Sequence, residues 1–159
     1  MVKHKFLLEI SSLFYVHSFS SVFHFWLSSF YANQQRIQFI NNVPPNIAKV
    51  SVNKEELDEI ILNLTQNATH AISGNGMISF NAEEKDESVI IEISDTGSGM
   101  SEETIAHIFD PFFTTRSKGF GLGLFVVKEL AQRNKGEIFV ESRVGEGTKF
   151  KLEFQKTGN

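Results

Sequence analysis

Apolar and polar positions change rhythm several times along the chain. From Phe6 to Phe30 apolar residues run on without Pro or Gly, too long for one strand, and predict a helix. Arg36–Asn41 alternates, with Ile37 and Phe39 on one side, and predicts a short strand. Pro44-Pro45 breaks it, and Lys49–Val52 predicts a second. Asn53 then stands as an N-cap with Glu56 in the capping-box position. Leu57, Ile60, Ile61, Leu64, Ala68, Ala71 and Ile72 follow at 3–4 spacing, the stripe of a core-facing helix that Gly74-Asn75-Gly76 ends. Met77–Glu83 and Ser88–Ser94, rich in β-branched residues, predict a hairpin turning at 84–87. Ser101–His107 predicts a short helix capped by Ser101. Gly119–Gly123 opens another that runs to Asn134 and stops at Lys135-Gly136. Glu137–Arg143 and Thr148–Phe154 predict a closing hairpin. In it Phe150, Leu152 and Phe154 alternate with Lys149, Lys151 and Glu153, so one face is buried and one is wet. The sum is an α+β fold, a two-layer α/β sandwich with a mixed, mostly antiparallel sheet and helices on one face, preceded by one N-terminal helix.

Charge divides the chain differently. Ile10–Tyr31 holds no Asp, Glu, Lys or Arg, and its 22 residues comprise 13 apolar ones, seven serines and two histidines. Nearly all the charge falls after residue 53, which makes 1–33 a Phe/Ser-rich element and 34–159 the main domain. The 159 residues carry 15 Lys+Arg against 19 Asp+Glu, a formal charge of −4 with no basic run. That argues against a nucleic-acid partner, whose grip rests on cation–phosphate contacts. Cysteine is absent, so thiolate chemistry, disulfides and Cys-based zinc sites are excluded.

Four segments carry candidate chemistry. On the first long helix Asn63, Asn67 and His70 are spaced i, i+4, i+7 and share one face. A carboxamide oxygen there suits Mg²⁺ whose other ligands are phosphate and water; the alternative is ordinary surface amides. Asp95-Thr96-Gly97-Ser98-Gly99 ends a strand, where a carboxylate can accept from an exocyclic amine and glycines let a ligand approach; the alternative is a tight turn. Phe109-Asp110-Pro111-Phe112-Phe113-Thr114-Thr115-Arg116 offers packed aromatics, then hydroxyls and a cation for a phosphate; the alternative is a hydrophobic anchor. Lys118-Gly119-Phe120-Gly121-Leu122-Gly123 leads into a helix whose N-terminal N–H groups favour an anion. No strand precedes it, which excludes the dinucleotide motif, and no Gly-Lys-Ser/Thr follows, which excludes a Walker loop.

In this order the four segments, with the tail Gly136–Ser142 and Gly145–Phe150, resemble the ATP-binding catalytic domain of sensor histidine kinases. That domain belongs to the superfamily of gyrase, mismatch-repair and chaperone ATPases with the Bergerat-type fold. The resemblance covers about residues 34–155. It implies that Asp95 accepts from the adenine amino group, with Gly97, Gly99 and Thr148 around the base. It implies Asn67 as the Mg²⁺ ligand, with Asn63 beside the phosphates. Gly119, Gly121, Leu122 and Gly123 would form a flexible phosphate loop. Residues 110–120 would form a lid packed by Phe109, Phe112 and Phe113, with Thr115, Arg116 and Lys118 reaching the phosphates. Asn63, Asn67 and Lys118 would be the catalytic residues. The implied cofactors are ATP and Mg²⁺. The implied partners are a histidine-bearing dimerisation domain and, through it, a response regulator, in the cytoplasm.

Two departures stand out. Hydrolysing relatives place Glu where this chain has Asn63, and Asn cannot take a proton from water, which favours transfer to a histidine over hydrolysis. Lys135-Gly136 replaces the usual glycine pair. A non-enzymatic nucleotide-binding module is the further alternative. The acceptor histidine is expected outside this chain, because His4 is followed by Lys5 and His17 by Ser18, not by an acidic residue. Three readings stand for residues 6–31: a dimerisation helix, a membrane span, or sequence foreign to the domain. The packed helix is favoured, since seven serines make a costly span.

Overall fold

The computed structural model describes residues 7–8, 36–116 and 119–157. Its elements in chain order are β1 (Leu7–Leu8), β2 (Arg36–Asn41), β3 (Val50–Ser51), α1 (Lys54–Ala71), β4 (Asn75–Lys85) and β5 (Ser88–Asp95). They continue with α2 (Glu102–His107), α3 (Gly123–Arg133), β6 (Glu137–Arg143) and β7 (Gly147–Gln155). Five strands form one sheet in the order β2-β4-β5-β7-β6. The β2–β4 pair is parallel and the other three are antiparallel, the mixed sheet expected. The helix predicted over 6–30 is corrected at Leu7–Leu8, which pairs antiparallel with Val50–Ser51. A strand edge leaves N–H and C=O groups unpaired, and pairing with a second strand satisfies them. The rest of that expected helix lies outside the described residues. Among the described residues no helix is long and apolar enough to cross a membrane.

One face of the sheet is covered. Ile78 and Phe80 of β4, Ile91 and Ile93 of β5, and Phe150, Leu152 and Phe154 of β7 are all buried, while their alternates are partly exposed. Side chains alternate across a strand, so these residues share a side. Leu57, Ile60, Ile61 and Leu64 of α1 and Val127 and Leu130 of α3 complete that core. Each fully buried aliphatic side chain contributes roughly 1.5–3 kcal/mol. On the other face Glu92 pairs with Lys149 at 3.3 Å and Glu141 with Lys151 at 2.6 Å.

The helix ends are fixed by polar contacts. Asn53 Oδ1 accepts from Glu56 N at 2.9 Å, the cap the sequence announced. The reciprocal half of the capping box is taken by a distant residue. Asn53 N donates to Asn134 Oδ1 at 2.9 Å, and Asn134 Nδ2 donates to Glu56 Oε2 at 2.7 Å and to Leu130 O at 2.8 Å. Arg133 adds an ion pair to Glu56 at 3.0 Å. The start of α1 is thereby fastened to the end of α3. α3 closes through Lys135 at φ 58, whose left-handed backbone lets Gly136 N reach Ala131 O at 2.9 Å. Gly136 must be glycine, because a Cβ there would lie 2.5 Å from the Phe154 ring.

Candidate nucleotide site

A cavity of about 620 Å³ opens beside the second half of α1. Its walls come from α1 (Asn63, Gln66, Asn67, His70), the end of β5 (Asp95), the loop after it (Ser98, Gly99, Met100) and α2 (Thr104). The remaining wall is made by 113–116, 119–124 and the start of β7 (Thr148, Phe150). This volume is in the usual range for a cofactor site.

Among the described residues Asp95 is the one carboxylate in that lining, and it is buried. Its Oδ1 accepts from Gly97 N at 2.7 Å. Burial pushes its pKa up, and N–H groups of Gly97 and Thr148 partly offset this. Its position is built by close backbone approaches. A Cβ on Gly147 would lie 2.0 Å from Asp95 O, and one on Gly99 would lie 1.8 Å from Arg143 O. Ser142 Oγ donates to Gly147 O at 2.8 Å, accepts from Met100 N at 2.9 Å, and lies 3.0 Å from Thr148 Oγ1. Ser142 and Gly147 thus hold the Asp95 end together. The sequence placed both in the tail segments Gly136–Ser142 and Gly145–Phe150 of the resemblance, without giving either a role at the site.

At the other end α3 starts without a side-chain cap and with no acidic residue in its first turn. Its leading residues Leu122, Gly123 and Leu124 line the cavity, so unpaired N–H groups and the positive end of the helix dipole serve it. The helix starts at Gly123, later than Gly119, because Gly121 sits at φ 68 and turns the chain. There Phe112 N donates to Gly121 O at 2.9 Å and pins the base of the 112–121 loop. Asn63 Nδ2 donates to Glu59 O at 2.9 Å, and its Oδ1 would lie 3.0 Å from a Cβ on Gly123. Asn67 Oδ1 accepts from Arg116 Nη2 at 2.8 Å.

The structure brings Asn63, Asn67, Asp95, Gly99, Thr115, Arg116, Gly119, Gly121, Leu122, Gly123 and Thr148 to one cavity. Gly97 stands behind Asp95, where a Cβ would lie 2.6 Å from that of Ala71. Phe109 packs against the core with the Lys128 ammonium 5.7 Å over its ring, away from the cavity lining. Phe112, expected to pack the lid, is corrected: it is 74% exposed, because its left-handed backbone (φ 67) serves the bond to Gly121. Phe113 packs inward, with its ring 5.7 Å from that of His107. Lys118 lies outside the described residues.

Residues 52–158 match the family described as "Histidine kinase-, DNA gyrase B-, and HSP90-like ATPase". The chain belongs to this family. It is 36% identical over 121 residues to the sensor histidine kinase ZraS of Escherichia coli (strain K12), covering 76% of this chain and 26% of that protein. It is 32% identical over 121 residues to sporulation kinase E of Bacillus subtilis (strain 168), covering 75% of this chain and 16% of that one. The chain therefore spans about a quarter or less of the length of these curated relatives. Among solved structures, the catalytic domain of histidine kinase ThkA superposes with a TM-score of 0.71 at 29% identity, over 84% of this chain and 88% of that one. Full-length ShkA in complex with AMPPNP superposes with a TM-score of 0.78 at 24% identity, covering 100% of this chain and 33% of that one, which speaks for the fold.

The residues present fit Mg-ATP. Asn67 offers a neutral hard oxygen already turned to a cation, and the uncapped α3 N-terminus offers N–H groups to phosphate.

Proposed function

We propose that this domain binds Mg-ATP in the cavity and donates its γ-phosphoryl group to a histidine on a separate dimerisation domain, within a cytoplasmic two-component pathway that ends on a response regulator. The carrying observation is the polarity of the cavity, with the buried acceptor Asp95 in one wall and donors without partners at the start of α3 in another. Asp95 takes the adenine amino group. Gly99 and Thr148 border the base. The N–H groups of 121–124, with Thr115, Arg116 and Lys118, receive the triphosphate. Asn67 holds Mg²⁺, which neutralises phosphate charge when bound.

Asn63 argues against fast hydrolysis. Its carboxamide stands beside the α3 start and cannot take a proton from water, and Asp95, the one carboxylate in the lining among the described residues, is committed to the base. A neutral imidazole needs no base to attack. Its nitrogen forms the new P–N bond, the bond from Pγ to the β-phosphate oxygen breaks, ADP leaves, and the ring proton passes to solvent. The protein's part is positioning and charge neutralisation.

Incubation with γ-labelled ATP and a histidine-bearing helical hairpin tests this. Acid-labile label on the hairpin is the expected result, and Asn67→Ala removes it. Steady release of inorganic phosphate at the same rate with and without the hairpin would favour a hydrolysing clamp instead.

A further inference from the structure

Asn67 Oδ1 already has a cation on it. Arg116 Nη2 donates to this oxygen at 2.8 Å and to the Asn67 carbonyl at 3.4 Å, and Nη1 stands 3.1 Å from His70 Nδ1. The contact ties the 112–121 loop to α1 across 49 residues of sequence. His70 is the weaker seat. Its Nδ1 also lies 2.7 Å from Gln66 O, and one ring nitrogen cannot donate to Gln66 and accept from Arg116 at once. Asn67 Oδ1 can only accept, so it fixes the guanidinium. The backbone presents Arg116 for this, since its N–H donates to Thr114 Oγ1 at 3.1 Å and its carbonyl accepts from Gly119 N at 3.3 Å. Partial desolvation lowers the guanidinium pKa, as befits a group turned toward the cavity, yet arginine keeps its charge.

A guanidinium and a divalent cation on one carboxamide oxygen repel each other, and the hydrogen bond already takes one of that oxygen's two lone pairs. We propose that Arg116 is a built-in competitor of the divalent cation, holding Asn67 Oδ1 in the nucleotide-free domain and giving it up when metal-nucleotide enters. This rests on the reading of Asn67 as the metal ligand. The consequence is a threshold. Only the fraction of molecules with Arg116 withdrawn binds the metal, so apparent metal affinity is lower by that fraction. The released guanidinium stays within the cavity wall, beside the loop that faces the phosphates, so one side chain opposes the metal before binding and faces the anion after it.

The test measures binding of a non-hydrolysable ATP analogue to the whole chain over a Mg²⁺ series, and once with the metal chelated. Arg116→Ala is expected to lower the Mg²⁺ midpoint by roughly 3- to 10-fold, the worth of one partly exposed charge-assisted hydrogen bond. With the metal chelated, the same variant binds the analogue no more tightly than wild type. Arg116→Lys keeps the charge without the planar fork and is expected to fall between the two. An unchanged or raised midpoint in both variants overturns the competition. Asn67→Ala separates the two readings. If it leaves the Mg²⁺ dependence intact, Asn67 is not the ligand. If it abolishes the dependence while Arg116→Ala leaves the midpoint where it was, the ligand reading stands and the competition falls.

Discussion

The two ends of α1 use the same side chains to opposite effect. At its start Asn53, Glu56 and Asn134, the residue that closes α3, bond to one another and to backbone groups of the packed elements. In its second half Asn63, Asn67 and His70 line a cavity, and the cation on Asn67 comes from a loop, not from the packed core. Amide chemistry is common to both ends. What differs is whether the partner belongs to the rigid part of the fold. A polar group satisfied by a neighbouring helix contributes stability, while one satisfied by an exposed loop side chain can exchange that partner for a ligand.

The comparison breaks most sharply at Asp95, which belongs to the cavity end. Asp95→Asn keeps an oxygen for Gly97 N but puts N–H donors where an exocyclic amine must donate. The expected loss of ATP-analogue affinity is about 30- to 150-fold, the worth of a hydrogen bond to a buried charge. The pH dependence carries a sign. Burial raises the Asp95 pKa above its ordinary 3.8, so the folded state takes up a proton before the unfolded state does. Stability from this group is fully present below the unfolded pKa and is lost as pH rises through the raised folded value. Nucleotide affinity runs the other way and is lost as pH falls through that value, because a protonated carboxyl is a poorer acceptor. The wild-type minus Asp95→Asn difference, taken by thermal melts and by binding titration, should show the two opposed trends over one pH window. Parallel trends would count against Asp95 as the base acceptor.

The two ends were unequally legible in the sequence. The stripe from Leu57 to Ile72, the Asn53 cap and the alternation of Phe150, Leu152 and Phe154 are local signals, and the elements built on them stand within a few residues of their expected bounds. The Asn134 bridge and the Arg116 contact join residues 81 and 49 positions apart, and no local rule gives such a pairing. Glu56 was expected to reach back to the Asn53 N–H, but Asn134 holds that donor and Glu56 turns to Asn134 and Arg133 instead. Asp95 was readable only as one of four segments in a set order, because a strand-end Asp-x-Gly-x-Gly is common and by itself reads equally as a tight turn. The outward turn of Phe112 was not, since its left-handed backbone is set by Gly121, nine residues on.

A second prediction comes from the packed end. Asn134→Ala removes the acceptor of Asn53 N and two donated hydrogen bonds, leaving a partly buried N–H and the Glu56 carboxylate short of partners. The expected cost is about 1–3 kcal/mol, a fall in Tm of several degrees for a domain of this size. Affinity for ATP analogues should stay within about twofold, because no cavity residue is touched. A large loss of affinity with no loss of stability would erase the division between the two ends.

The smallest effect is expected two residues from the start of β6, also at the packed end. Lys135 holds φ 58 at the close of α3, a conformation that costs a residue with a Cβ roughly 1–2 kcal/mol. Lys135→Gly removes that strain and leaves the Gly136 N to Ala131 O bond in place. Against this, glycine adds freedom to the unfolded chain worth about 0.4–1 kcal/mol. The two terms oppose each other and the strain is the larger, so a net gain of about 0.5–1 kcal/mol is expected, read as a higher urea midpoint with an unchanged slope. Nucleotide binding should not move. A loss of stability would mean that the lysine side chain supports the turn, and that the packed end relies on more than its amide bridge.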